Sequence, residues 1–98
     1  MSGGAGPTIL EPAAGASTLI GGAFIDEFAF RHGVVAHSAL QGFDPARDFV
    51  ALFGFPAGEA AAALAGAVIA GGNETLTLSD GTTILVQGYT GLTLADFR

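Results

Sequence analysis

Glycine returns through the first third of this chain in a nine-residue frame, and that recurrence constrains the fold more than any other feature. Cut from Gly3, the frame gives the units 3–11, 12–20 and 21–29. Its fourth position holds Gly6, Gly15 and Phe24, its sixth Thr8, Ser17 and Asp26, its eighth Leu10, Leu19 and Phe28. Gly33 and Gly42 continue in the same frame. A unit this short cannot bury an apolar face by itself, so a repeat of this kind works by stacking on its neighbours. Glycine supplies the positive φ that tight corners between such units need.

Composition narrows the function classes. A chain of 98 residues is one domain, 1–98, with a modest core. Half of it is hydrophobic, which excludes intrinsic disorder, and only 12% is charged. The surface must then be largely Thr, Ser, Ala and Gly, which suits stacking contacts. Three arginines, no lysine and nine acids give a net charge of −6, so the basic stripe that a nucleic acid requires is missing. An anionic membrane surface is disfavoured on the same ground. The absence of cysteine removes disulfides, thiol catalysis and thiolate metal sites. Met1-Ser2-Gly3-Gly4 has neither the basic nor the apolar region of a Sec signal, so export is expected by another route. The apolar run from Ala60 to Ala70 is too short to span a bilayer, and no membrane insertion is expected.

Local patterns place the elements. Short strands broken by turns are expected over 30–55, with Asp44-Pro45 a turn and Phe49 to Phe53 a buried-type strand. Pro56-Ala57-Gly58-Glu59 opens a helix, which the alanine-rich stretch carries to about Ala67 inside a helical segment 56–70. Gly71-Gly72-Asn73 is its stop. Thr75 to Leu78 alternates with period two, Ile84-Leu85-Val86 is a second strand, and Asp80-Gly81 between them signals a hairpin within 71–98. Leu92 to Phe97 is a closing strand or short turn. The expected fold is mainly all-β: a short parallel β-roll or β-solenoid, one short helix, and a C-terminal β-hairpin.

The three nonapeptides resemble the repeat G-G-x-G-x-D-x-U-x of hemolysin-type (RTX) proteins, where U is a large apolar residue. Residues 21–55 are similar to the last repeat and following segment of such proteins. Their landmarks are Gly21-Gly22, Asp26 to Phe30, Gly42 to Asp48 and Phe53-Gly54-Phe55. The stretch from Gly71 to Phe97 is similar to their C-terminal flank. The resemblance implies a parallel β-roll with U inside and calcium held between turns by Asp carboxylates and backbone carbonyls. It also implies type I secretion and an extracellular or cell-surface location. Two of the three sixth positions are Thr8 and Ser17, which carry no negative charge. No cofactor is therefore expected to be required; Asp26 and Asp44 are the candidates for a residual calcium site.

Other constellations favour structural roles. His32 and His37 stand five apart, which matches neither a helical face nor one face of a strand. His37-Ser38 beside Asp44 lacks the turn that presents a nucleophile. Asp44 and Asp80 fit turn caps, and Asp48 fits a partner for Arg47. The set Phe28, Phe30, Phe43, Phe49, Phe53 and Phe55 reads as core, and no enzymatic activity is expected. The expected function is a secreted structural protein that self-assembles into a fibre, matrix or surface layer by stacking its ends, as a homo-oligomer or filament. The alternative is the C-terminal cap and export module of a larger protein of this kind.

Overall fold

Between Thr8 and Phe53 the backbone runs as five strands separated by corners, and residues beyond Phe53 add one helix and a sheet extension. The computed structural model describes residues 6–22 and 24–97. Gly3 and Gly4, which open the nine-residue frame, lie outside the described residues. The strands are β1 (Thr8–Leu10), β2 (Gly15–Ile20), β3 (Asp26–Arg31), β4 (Ala36–Gln41), β5 (Phe49–Phe53), β6 (Val68–Ala70), β7 (Asn73–Thr77) and β8 (Thr83–Val86). Helix α1 covers Glu59–Ala65, and a 3-10 turn covers Leu94–Asp96. The chain is mainly β, with the short helix and the β7–β8 hairpin where the sequence puts them.

Two sheets form. One has the order β1-β3-β5, all parallel; the other has the order β2-β4-β8-β7-β6. In the second, β2, β4 and β8 are parallel, and β7 and β6 follow antiparallel. From β1 to β5 the chain alternates between the sheets, so β1/β2, β3/β4 and β5/β8 make three stacked layers.

Register turns the sequence pattern into columns of side chains. Leu10 lies beside Phe28 and Phe28 beside Val50; in the other sheet Leu19 lies beside Leu40 and Leu40 beside Val86. All six are buried, and with Phe30, Ile84, Leu76 and Leu78 they form one cluster between the sheets. The eighth positions of the frame are thus core positions. Thr8 pairs with Asp26, two frame units on, but later spacing lengthens: Gly15 pairs with Ala36 and Glu27 with Phe49. The nine-residue regularity holds for the first layer and then yields to longer strands.

Two expectations need correction. Residues 68–70 are strand β6, not the end of the helix, because β-branched Val68 and Ile69 favour a pleated strand over a helical turn. Gly71-Gly72 is then a hairpin turn, with φ of 60° and 79°, rather than a helix stop. Leu92 to Phe97 takes the short-turn form of its expectation, with a 3-10 turn at Leu94–Asp96, after which Phe97 makes a parallel bridge to Val50. The phenylalanine set also divides. Phe28, Phe30 and Phe43 are buried, whereas Phe53 is 40% exposed because it shares the outward face of its strand with Phe49. The Arg31 guanidinium sits over the Phe53 ring, 4.9 Å from its centroid, and Arg31 Nε donates to Glu11 Oε2 at 2.9 Å.

Phe28 and Phe53 should therefore behave differently on truncation. Phe28→Ala is expected to cost about 3–5 kcal/mol. Phe53→Ala should cost about 1 kcal/mol or less, through the lost cation–π contact. Urea unfolding of both variants checks the contrast.

Candidate functional site

Parallel layers meet at corners, and the corner before β3 and β5 carries the acidic residues that the sequence singled out. Asp26 is fully buried at the start of β3, and its Oδ2 accepts the Gly22 N–H at 2.7 Å. One layer on, Asp48 repeats the motif: its Oδ2 accepts the Asp44 N–H at 2.9 Å, again four residues back. The layers are joined by Asp48 Oδ1, which accepts the Asp26 backbone N–H at 2.9 Å. Thr8, Asp26 and Asp48 thus occupy one column; Thr8 Oγ1 donates to the Gly6 carbonyl at 3.0 Å.

The corner needs glycine. A Cβ on Gly21 would stand 2.8 Å from the Gly42 carbonyl oxygen, and Gly42 has a φ of +71°. Such a contact forces the two backbones apart, so the close approach of the layers here is available only without side chains.

Asp26 and Asp44, the residues suggested for calcium, both lie at this corner, and their carboxylates meet different partners. Asp44 Oδ1 accepts the Ala46 N–H at 3.0 Å, and its Oδ2 lies 3.4 Å from Arg47 Nη2. Asp44 is therefore both the turn cap and the partner of Arg47. The role of Arg47 partner expected for Asp48 falls to Asp44, because Asp48 is turned inward and buried between two backbone N–H groups. Among the described residues no group of three or more His, Cys, Asp or Glu side chains is placed to hold a metal ion. Asp26 Oδ1 is buried without a hydrogen-bond partner.

Asp80 also ties turns together. Asp80 Oδ1 accepts the Thr82 N–H at 2.9 Å, and Oδ2 accepts the Gly33 N–H at 3.0 Å, joining the β7–β8 turn to the β3–β4 turn. Partial burial pushes its carboxyl up. The hydrogen bonds from Thr82 and Gly33, with the nearby His32, outweigh that and hold it below the usual carboxylate value.

The remaining polar candidates are held apart. His37 Nδ1 lies 2.9 Å from Thr83 Oγ1 on the outward face of β4, while Ser38 points inward to a 3.1 Å contact with Ser17 Oγ. Adjacent residues on a strand face opposite sides, so the pair does not form a nucleophile and base. His32 stands edge-on to Phe55 at 5.2 Å. Around His37 the outward sheet face forms a shallow trough of about 420 Å³, lined by Ala16, Thr18, Ala39, Thr83 and Leu85.

Sequence reasoning missed three carboxylates that accept backbone N–H groups. Glu59 receives the Ser79 N–H at 2.9 Å and the Ser79 hydroxyl at 2.7 Å, clasping α1 to the β7–β8 turn. Glu74 receives Leu92 N–H, and Asp96 receives Thr93 N–H. Only the last was open to detection, as the capping-box spacing Thr93-x-x-Asp96.

Comparison of the chain with family models, with curated proteins and with solved structures finds no match. Among the described residues no helix is long and apolar enough to cross a membrane.

The acid limb of stability should report Asp80. Its folded pKa is lowered, so the stabilisation is present above the unfolded value and is lost as pH falls through the folded one. Asp80→Asn should lose less stability than wild type between about pH 5 and pH 3, a difference read from thermal melts across that range.

Proposed function

We propose that this chain is a non-enzymatic capping module that terminates a parallel β-solenoid. The observation that carries this reading is the difference between the two ends of the layered stack. At the end formed by β1 and β2, both sheets finish in strands that are parallel to their inner neighbours, with no further described strand beyond them. At the other end the parallel pattern stops. There β7 and β6 continue one sheet antiparallel, Phe97 bridges to β5, and α1 lies against β7 and the 3-10 turn.

Chain connections support the same reading. Residues 11–14 join β1 to β2, and residues 32–35 join β3 to β4. The equivalent link in the third layer, from β5 to β8, is residues 54–82, which hold α1, β6 and β7. The covering elements are thus an insertion in the place of a short corner. Edge strands are ordinarily protected by charge, proline, a covering element or extreme shortness, and this insertion covers the β8 edge and leaves only the three-residue β6 at the end of the sheet.

Head-to-tail assembly into a filament requires two complementary open ends. With one end covered, the chain suits termination of a stack better than endless addition, so the cap reading is preferred over a fibre or matrix. The resemblance in sequence supports a place outside the cell or on its surface and delivery by type I secretion for such a module. Light scattering and electron microscopy over a concentration series test the choice. A monomer or a small closed oligomer is expected; filaments would overturn the cap reading in favour of end-to-end self-assembly.

Folding in this reading proceeds without calcium. The column positions next to the open end are Thr8 and Ser17, whose hydroxyls make hydrogen bonds and need no counter-ion. A thermal melt in calcium and one in excess chelator should coincide. A large fall in Tm on chelation that Asp26→Asn abolishes would show that the unpartnered Asp26 Oδ1 belongs to an ion site.

A further inference from the structure

The open end carries a template for what can lie on it, because the interface between the first two layers is already defined residue by residue. We infer that this end accepts one kind of partner: a further eighteen-residue, two-strand turn of chain with a hydroxyl residue over Ser17 and an uncharged residue over Thr8. The inference rests on the capping role and adds the selectivity of its open face.

Spacing comes from the existing register. Thr8 lies beside Asp26 and Leu10 beside Phe28, eighteen residues on, so residues 8–25 are one complete turn that leads into the next in register. A copy of that turn placed before Thr8 has an eighteen-residue offset in both sheets, which equals the offset from β1 to β3 and is three shorter than that from β2 to β4, and it sets an aliphatic residue above Leu10 and another above Leu19.

Chemistry comes from the columns. Ser38 lies between Ser17 and Ile84, is 3% exposed, and shares its hydroxyl contact with Ser17 at 3.1 Å. Ser17, with a neighbour on one side alone, is half-buried. A hydroxyl above it extends the same contact, since each hydroxyl can donate once and accept twice. A carboxylate there would be desolvated, and the described arginines, Arg31 and Arg47, are paired with Glu11 and Asp44. In the Thr8 column the next two positions are already the buried carboxylates Asp26 and Asp48, whose hydrogen-bond donors are backbone N–H groups. A third acid above them adds like charge at the corner, while Arg31 and Arg47 are engaged by Glu11 and Asp44 elsewhere. Selection is therefore for neutral side chains.

The test inserts a second copy of residues 8–25 between Pro7 and Thr8 of the whole chain. Hydrogen exchange and thermal melting are measured in excess chelator. The inserted copy should gain slowly exchanging amides, and Tm should rise by about 5 °C, the order expected from one added layer. Two further proteins carry Ser17→Asp or Thr8→Asp in the added copy alone, and both should lose the protection and the rise. If the unaltered copy stays unprotected, the open end is no template and the capping role falls with it. If all three copies are equally protected, the capping role stands and the selection for neutral side chains is wrong.

Discussion

Stacking strands in parallel leaves a problem at each corner that the ladders themselves do not solve. Where the chain leaves one sheet for the other, backbone N–H groups point away from any neighbouring carbonyl, and burying them without acceptors costs about 1–3 kcal/mol each. In this protein carboxylates meet that need. Asp26 accepts from Gly22, and Asp48 accepts from Asp44 and from the Asp26 N–H of the neighbouring layer; Asp80 joins two turns; Glu59, Glu74 and Asp96 hold α1, β7 and the 3-10 turn. The acidic composition is thus partly a structural requirement. Asp26, Asp48, Glu59, Glu74 and Asp96 are all buried, so much of the formal charge is not displayed to solvent.

This changes how the low isoelectric point bears on partners. An acidic chain invites the assignment of its carboxylates to metal binding, and spacing alone cannot separate an oxygen that meets a cation from one that meets an amide. Asp44 illustrates the difficulty. In the sequence it stands beside Asp48 and Arg47 with no indication of which acid turns inward. The fold resolves it through the corner geometry, in which the residue four positions before each buried aspartate presents its N–H. Gly22-x-x-x-Asp26 and Asp44-x-x-x-Asp48 share that spacing, a signal that was present in the chain and had no meaning without the layers.

Much of the architecture was legible for physical reasons that act locally. Leu10, Leu19 and Phe28 share a frame position, and Asp80-Gly81 sits between alternating segments, so core and hairpin could be inferred from short windows. Strand β6 could not, because an alanine-rich stretch favours a helix until tertiary pairing with β7 decides otherwise, and Val68 and Ile69 supply the preference that tips it. The role of Glu59 was equally hidden. An acid in the first turn fits a helix start, yet this carboxylate reaches Ser79, twenty residues away along the chain. The outward position of Phe53 followed from strand alternation, and composition alone placed it in the core.

The pairing of β4 with β8 has a consequence for how the molecule reaches its fold. His37 must find Thr83 across the intervening insertion, and β5 gains its outer neighbour only when Phe97 arrives. Closing a long loop costs entropy before the contact returns anything, so topologies of this sort fold slowly. During synthesis, the first two layers emerge with an exposed third-layer edge and stay incomplete until the distal strand has left the ribosome. The segment 54–82, which separates β5 from β8, is therefore also a timing element. It delays completion of the third layer and lengthens the interval in which β4 is open to a wrong partner.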